Sequence, residues 1–136
     1  LTWERNQVDI LLMEGIEFTC PWTKKKIKSG ADYDLDHIIP VSLYPINELW
    51  NLVPADPNFN SHVKRNRLPT YEKLIGAQPY FEMVYHHYGL SKSLSRALQE
   101  DASLRFSTIT SNTPQFTANL SLSVVNLVNI FAESRN

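Results

Sequence analysis

"DYDLDHIIPVSL", residues 32–43, sets strand-forming residues against three aspartates and a histidine. Tyr33, Leu35, Ile38 and Ile39 are residues that strands favour, and the pattern predicts a strand over 33–39 that Pro40 stops. Three aspartates (Asp32, Asp34 and Asp36) and then His37 interrupt it. Aspartate is depleted in strands and proline ends pairing, so the run contains a local conflict. Conflicts of that kind concentrate at functional sites, which makes Asp36-His37 the first candidate pair.

Working outward, "VSLYPINE" reads as a loop and "LWNLVPA" as a second short strand or extended segment. "DPNFNSHVKRN" opens with Asp56-Pro57, a pair suited to a helix N-cap followed by proline at the first helical position, and Leu68-Pro69 closes that helix. Upstream, residues 2–14 form an expected amphipathic helix with Thr2 as cap, Trp3, Val8, Leu11 and Leu12 as its apolar side, and Gly15 as its end. "IEFTCPWTKKKIKSG" reads as a short hairpin-like or irregular piece turning at Pro21 and Gly30. From Tyr71 onward the chain is read as helical. "TYEKLIG" is one short helix and "PYFEMVYHHYG" a second, running from Pro79 to Gly89. "SKSLSRALQEDASLRF" is capped by Ser91 or Ser93. The last helix starts at Thr113-Pro114, with Phe116, Leu120, Val124, Leu127, Val128 and Phe131 on a broad apolar side. The expected class is α+β, one domain over 1–136: a β-containing core at 15–69, an N-terminal helix before it and a helical extension over 70–136.

The 136 residues fit one domain with an ordinary core, and 43% hydrophobic with 20% charged residues describes a globular chain. No apolar run is long enough to suggest a membrane span. The single cysteine, Cys20, excludes an internal disulfide and a four-cysteine zinc site, and favours a reducing cytosol. A net charge of −1 is not the overall footprint of a nonspecific nucleic-acid binder. The charges are nonetheless clustered: Lys24, Lys25, Lys26 and Lys28 on one side of the opening stretch, Lys64, Arg65 and Arg67 on the other. Such runs are most often plain solvated surface. The chain begins at Leu1, which is read as a piece of a longer or processed protein.

Between residues 36 and 64 the polar residues in apolar context are Asp36-His37, Asn51, Asn60-Ser61-His62 and Lys64. Their order is strand end, second strand, helix, and a hairpin crossed by a helix brings them to one face. A carboxylate beside a histidine offers a hard oxygen for a divalent cation next to an imidazole that titrates near neutrality. An amide oxygen from the helix adds a second hard ligand, and few protein ligands leave positions for water and a phosphate oxygen. The imidazole then serves as general base. Asn51 is expected to bond backbone across the loop and hold His37 in aim. His62 lies two positions past Asn60 and points away on a helix; His86-His87 diverge in the same manner and do not chelate together. Cys20 is expected as a small buried hydrophobe, and the aromatics between 80 and 88 as core.

"DYDLDHIIPVSL" followed by "ELWNLVPADPNFNSHVKRNRLP" resembles the HNH endonuclease motif, the ββα-metal nuclease fold, over about residues 20–69. Asn51 lies fourteen residues after His37 and Asn60 nine after Asn51, intervals similar to those of RNA-guided and bacterial restriction or defence HNH nucleases. The resemblance implies Asp36 and Asn60 as ligands of one Mg²⁺ or Mn²⁺, His37 as general base and Asn51 as the motif's central asparagine. Lys64 falls near a position where some members place a basic residue toward phosphate. Many relatives carry two CxxC pairs that hold zinc. Here those places read Cys20-Pro21-Trp22-Thr23 and Asp56-Pro57-Asn58-Phe59, so no structural zinc is expected, and Trp22, Phe59, Trp50 and the flanking helices are expected to supply the scaffold.

The sequence is therefore read as a metal-dependent endonuclease acting on DNA, cytoplasmic and bacterial, with no membrane partner. Lys24, Lys25, Lys26, Lys28, Lys64, Arg65 and Arg67 hold phosphates, and further domains or a targeting partner deliver the DNA. The rival readings are a nucleic-acid-binding module that no longer cuts, a protein-interaction domain on the same scaffold, and a toxin held by an immunity partner.

Overall fold

The computed structural model describes residues 1–59 and 67–134. Helix α1, Thr2–Met13, buries Val8, Leu11 and Leu12. Its N-cap is Leu1 without a side-chain hydrogen bond, so Thr2 lies inside the helix rather than capping it. Gly15, at φ +96°, turns the chain out of the helix in a conformation that side chains with a Cβ resist.

Strands β1 (Phe18–Thr19) and β2 (Lys26–Ile27) pair antiparallel, with Phe18 opposite Ile27 and both side chains buried. Their connection is tight: Cys20 N–H donates to the Lys25 carbonyl at 2.8 Å and Lys24 N–H to the Cys20 carbonyl at 2.9 Å, with Lys24 at φ 65°. Cys20 is fully buried.

The second sheet pairs β3, Asp34–His37, antiparallel with β4, Leu52–Ala55. β3 is shorter than the expected 33–39. Past His37, Ile38 N–H bonds the Asn51 carbonyl and Ile39 N–H bonds the Asn51 side chain, so the chain leaves the ladder there. "LWN" is not strand but one 3₁₀ turn, Leu49–Asn51, before β4. All four residues of β4 are buried, which accounts for a continuous apolar run where alternation is the rule for a half-exposed strand. After β4, Asp56 caps the turn α2, Pro57–Phe59, its carboxylate accepting from Asn58 N–H at 3.0 Å.

The helical half holds α3 (Tyr71–Tyr88), α4 (Lys92–Arg105) and α5 (Phe116–Ser134). Thr70 and Ser91 cap α3 and α4, and α5 begins two residues after the expected Pro114. The expected break between "TYEKLIG" and "PYFEMVYHHYG" is absent: α3 runs unbroken through Gly76 and Pro79. An interior proline costs about 3 kcal/mol. Against it stands the stripe Leu74, Ala77, Phe81, Val84, Tyr85 and Tyr88, buried on both sides of Pro79. Each large apolar side chain in such a stripe contributes roughly 1.5–3 kcal/mol, so burial outweighs the break. Ile75, whose carbonyl faces the missing N–H, lies on the exposed side.

Among the described residues the architecture is α+β: five helices and two two-stranded sheets. Residues of α1, both sheets and α3–α5 share one apolar core. No helix among the described residues is long and apolar enough to cross a membrane.

Candidate active site

The β3–β4 register sets Asp36 opposite Val53 and His37 opposite Leu52. Asp36 is 4% exposed, and its Oδ2 accepts a hydrogen bond from Trp22 Nε1 at 3.0 Å. A buried carboxylate needs such partners, because desolvation penalises it heavily otherwise. Trp22 is itself held by rings, stacked on Phe59 (centroids 6.2 Å apart) and edge-on to Phe81 (5.6 Å). The β1–β2 connection, the turn after β4 and α3 thus meet at the acid.

His37 ends β3, half-buried, and its Nε2 lies within hydrogen-bond distance of Asn47 Oδ1, at 2.8 Å. Asn51 is fully buried and ties the loop between the strands to itself. Its Oδ1 accepts from Ile39 N–H at 2.8 Å; its Nδ2 donates to the Ile39 carbonyl at 3.2 Å and the Ile46 carbonyl at 3.1 Å. One side chain therefore closes both ends of the excursion that follows His37.

The helical half grips the same segment. Tyr85 Oη donates to the Trp50 carbonyl and Tyr88 Oη to the Leu52 carbonyl, each at 2.6 Å, on either side of Asn51. Burial pushes both phenols well above their usual range, so they remain donors. From α4, Asp101 accepts from Leu49 N–H at 2.9 Å. Arg105 bonds Glu48 Oε2 at 2.6 Å and Tyr44 Oη at 2.7 Å. Burial works to raise the Glu48 carboxyl, but hydrogen bonds from Arg105 and Trp50 outweigh it and hold Glu48 below the usual 4.5.

Of the cationic candidates, Lys24 bonds the Pro21 carbonyl at 2.6 Å and lies 4.5 Å from the Tyr80 ring centroid. Partial burial and the like charge of Lys73 lower its ammonium, against an opposing pull from Cys20. Lys26 and Lys28 pair with Glu17 at 3.9 and 3.5 Å on the exposed rim, and Lys25 is exposed. Arg67 lines a cavity of about 160 Å³ together with Trp22, Phe59, Leu68, Pro69, Thr70 and Lys73. Asn60, Lys64 and Arg65 lie outside the described residues, as does His62.

The sequence reading missed Asn47, Trp22 as partner of Asp36, and Lys73. Lys73 sits 4.9 Å over the Phe59 ring, close enough to Lys24 for their charges to interact. Nothing in the spacing marks these residues, since each contact lies beyond the few positions over which local patterns act.

The donor chemistry at Asp36 fits a hard divalent cation. Asp34 and Asp36 are alternate residues of β3 and share a side of the strand. Among the described residues no three histidines, cysteines or acids gather into a cage. A site built on one or two carboxylates, with water and substrate completing the shell, is the arrangement Mg²⁺ accepts.

Residues 20–70 match the family model for HNH endonuclease. The match runs from Cys20 through both strands of the second sheet to Thr70. Over that segment the chain is similar to nucleases of the HNH type. No curated protein and no solved structure matches the chain.

Proposed function

We propose that this chain is a metal-dependent endonuclease that hydrolyses phosphodiester bonds in DNA, built on a ββα-metal core. The observation that carries the reading is the coincidence of the HNH family match with a strand end bearing a buried acid, Asp36, next to a fixed imidazole, His37. Asp36, with Asn60, would hold one Mg²⁺ or Mn²⁺, which when bound stabilises charge on the phosphate oxygens. His37 accepts a proton from the attacking water as its oxygen forms the new bond to phosphorus. The P–O bond to one sugar oxygen breaks, and that oxygen takes a proton from solvent. Asn51 keeps the strand ends in register behind His37. Lys24, Lys25, Lys26 and Lys28 with Lys64, Arg65 and Arg67 hold the backbone, and the contacts around Trp22 add Lys73 to that group.

A net charge of −1 supports delivery of the DNA by further domains or a targeting partner, as in a bacterial restriction or defence protein working in the cytoplasm. The contacts of Tyr85, Tyr88, Asp101 and Arg105 support residues 1–136 as one folding unit, core and helical extension together.

The test is cleavage of supercoiled plasmid and of single-stranded oligonucleotides with Mg²⁺ or Mn²⁺. His37→Ala is expected to lower the rate roughly 10²- to 10⁴-fold with an unchanged circular dichroism spectrum. Cutting at the wild-type rate by that variant, or cutting that survives excess EDTA, overturns the mechanism.

A further inference from the structure

We infer that Asn47 is a positioning residue that fixes the ring orientation and the tautomer of His37. The inference rests on the reading of His37 as proton acceptor; the geometry behind it stands independently. A neutral imidazole carries one N–H and one lone pair. Asn47 Oδ1 only accepts, and at 2.8 Å from Nε2 it requires the proton to be on Nε2. The lone pair is then on Nδ1.

Asn47 is exposed, but the backbone on either side of it is held. Its neighbour Ile46 is 5% exposed, and the Ile46 carbonyl accepts from Asn51 Nδ2 at 3.1 Å. On its other side, the Glu48 carbonyl accepts from Asn51 N–H at 2.9 Å, and the Glu48 side chain is held by Arg105 and Trp50. Asn51 thus clamps the backbone on both sides of Asn47, and Asn47 passes that placement to the His37 ring. The central asparagine acts on the base through this intermediary as well as through Ile39.

The test is nitrogen-15 NMR of the histidine rings in the purified chain in EDTA, at about pH 9, where imidazoles are ordinarily neutral. The wild type is expected to show His37 as a single Nε2–H tautomer. Asn47→Leu is expected to move the two ring nitrogens toward averaged shifts; Asn47→Asp, which keeps the acceptor, restores the wild-type pattern. In cleavage assays Asn47→Leu is expected to lower kcat roughly 10-fold with KM little changed, and Asn47→Asp to recover most of it. A wild-type ring protonated on Nδ1, or a Leu variant with the wild-type ring spectrum, overturns the inference. Spectra as expected in a chain that cuts no nucleic acid overturn the nuclease reading and leave the placement by Asn47 standing.

Discussion

The β3–β4 hairpin and the α3–α5 helix pair are assembled by different means. The helices meet through a distributed stripe: Leu74, Ala77, Phe81 and Val84 on α3, and Leu120, Val124, Val125 and Val128 on α5. One polar link, Gln78 Nε2 to Ser121 Oγ at 2.7 Å, crosses between them. The hairpin pairs only four residues on each strand, and the loop it carries is held by single side chains reaching backbone: Asn51, Asp101, Tyr85 and Tyr88. A distributed apolar contact degrades gradually when one member is trimmed. A polar clamp fails at once, because removing it leaves buried partners unsatisfied. The site is thus built on the brittle kind of structure and braced by the tolerant kind.

That contrast breaks most sharply at Asn51. Asn51→Ala strands Ile39 N–H and two carbonyls in the interior, and at roughly 1–3 kcal/mol per unsatisfied group the expected loss is about 4 kcal/mol, read as a lower urea midpoint, with cleavage lost as well. Leu120→Ala, in the fully buried stripe, is expected to cost about 3 kcal/mol, yet to leave the turnover of the folded fraction unchanged. An equal fall in turnover would show that the helices contribute more than bracing. Tyr85→Phe and Tyr88→Phe are each expected to cost about 1.5 kcal/mol, since each orphans one buried carbonyl. Their double variant should lower turnover more than Leu120→Ala does, because these bonds flank Asn51.

The smallest effect concerns the rim. Glu48 is held below the usual 4.5, so its pairing with Arg105 stabilises the fold above that value and is lost as pH falls through the lower folded value. Arg105→Gln is expected to cost about 0.5–1 kcal/mol at neutral pH and to flatten the stability curve in that acid window. A variant as acid-sensitive as the wild type would place the sensitivity elsewhere.

Much of the local structure was legible. The caps Asp56 and Ser91, the exit at Gly15 and the strand at Asp34–His37 all follow from short-range chemistry, in which a side chain acts on backbone a few residues away. The DH…N…N spacing of residues 36, 37, 51 and 60 was legible as a resemblance to the HNH motif, and the family match covers the same stretch. What was not legible depended on distant partners. Local rules break a helix at Pro79, and only the core on both sides of it keeps α3 whole. Trp22 looked like scaffold and proved also to be the hydrogen-bond donor to Asp36.

Periodicities, turn and cap residues, and the polar side chains that stand out against apolar surroundings can be read along the chain, because they depend on neighbours within a few positions. Which of them touch is set by packing: Asn47 on His37, Trp22 on Asp36, Tyr85 and Tyr88 on the backbone around Asn51. Those pairings arise from packing the hairpin and helices into a common core, and the burial that selects such packing is non-directional and leaves no short-range signature in the chain.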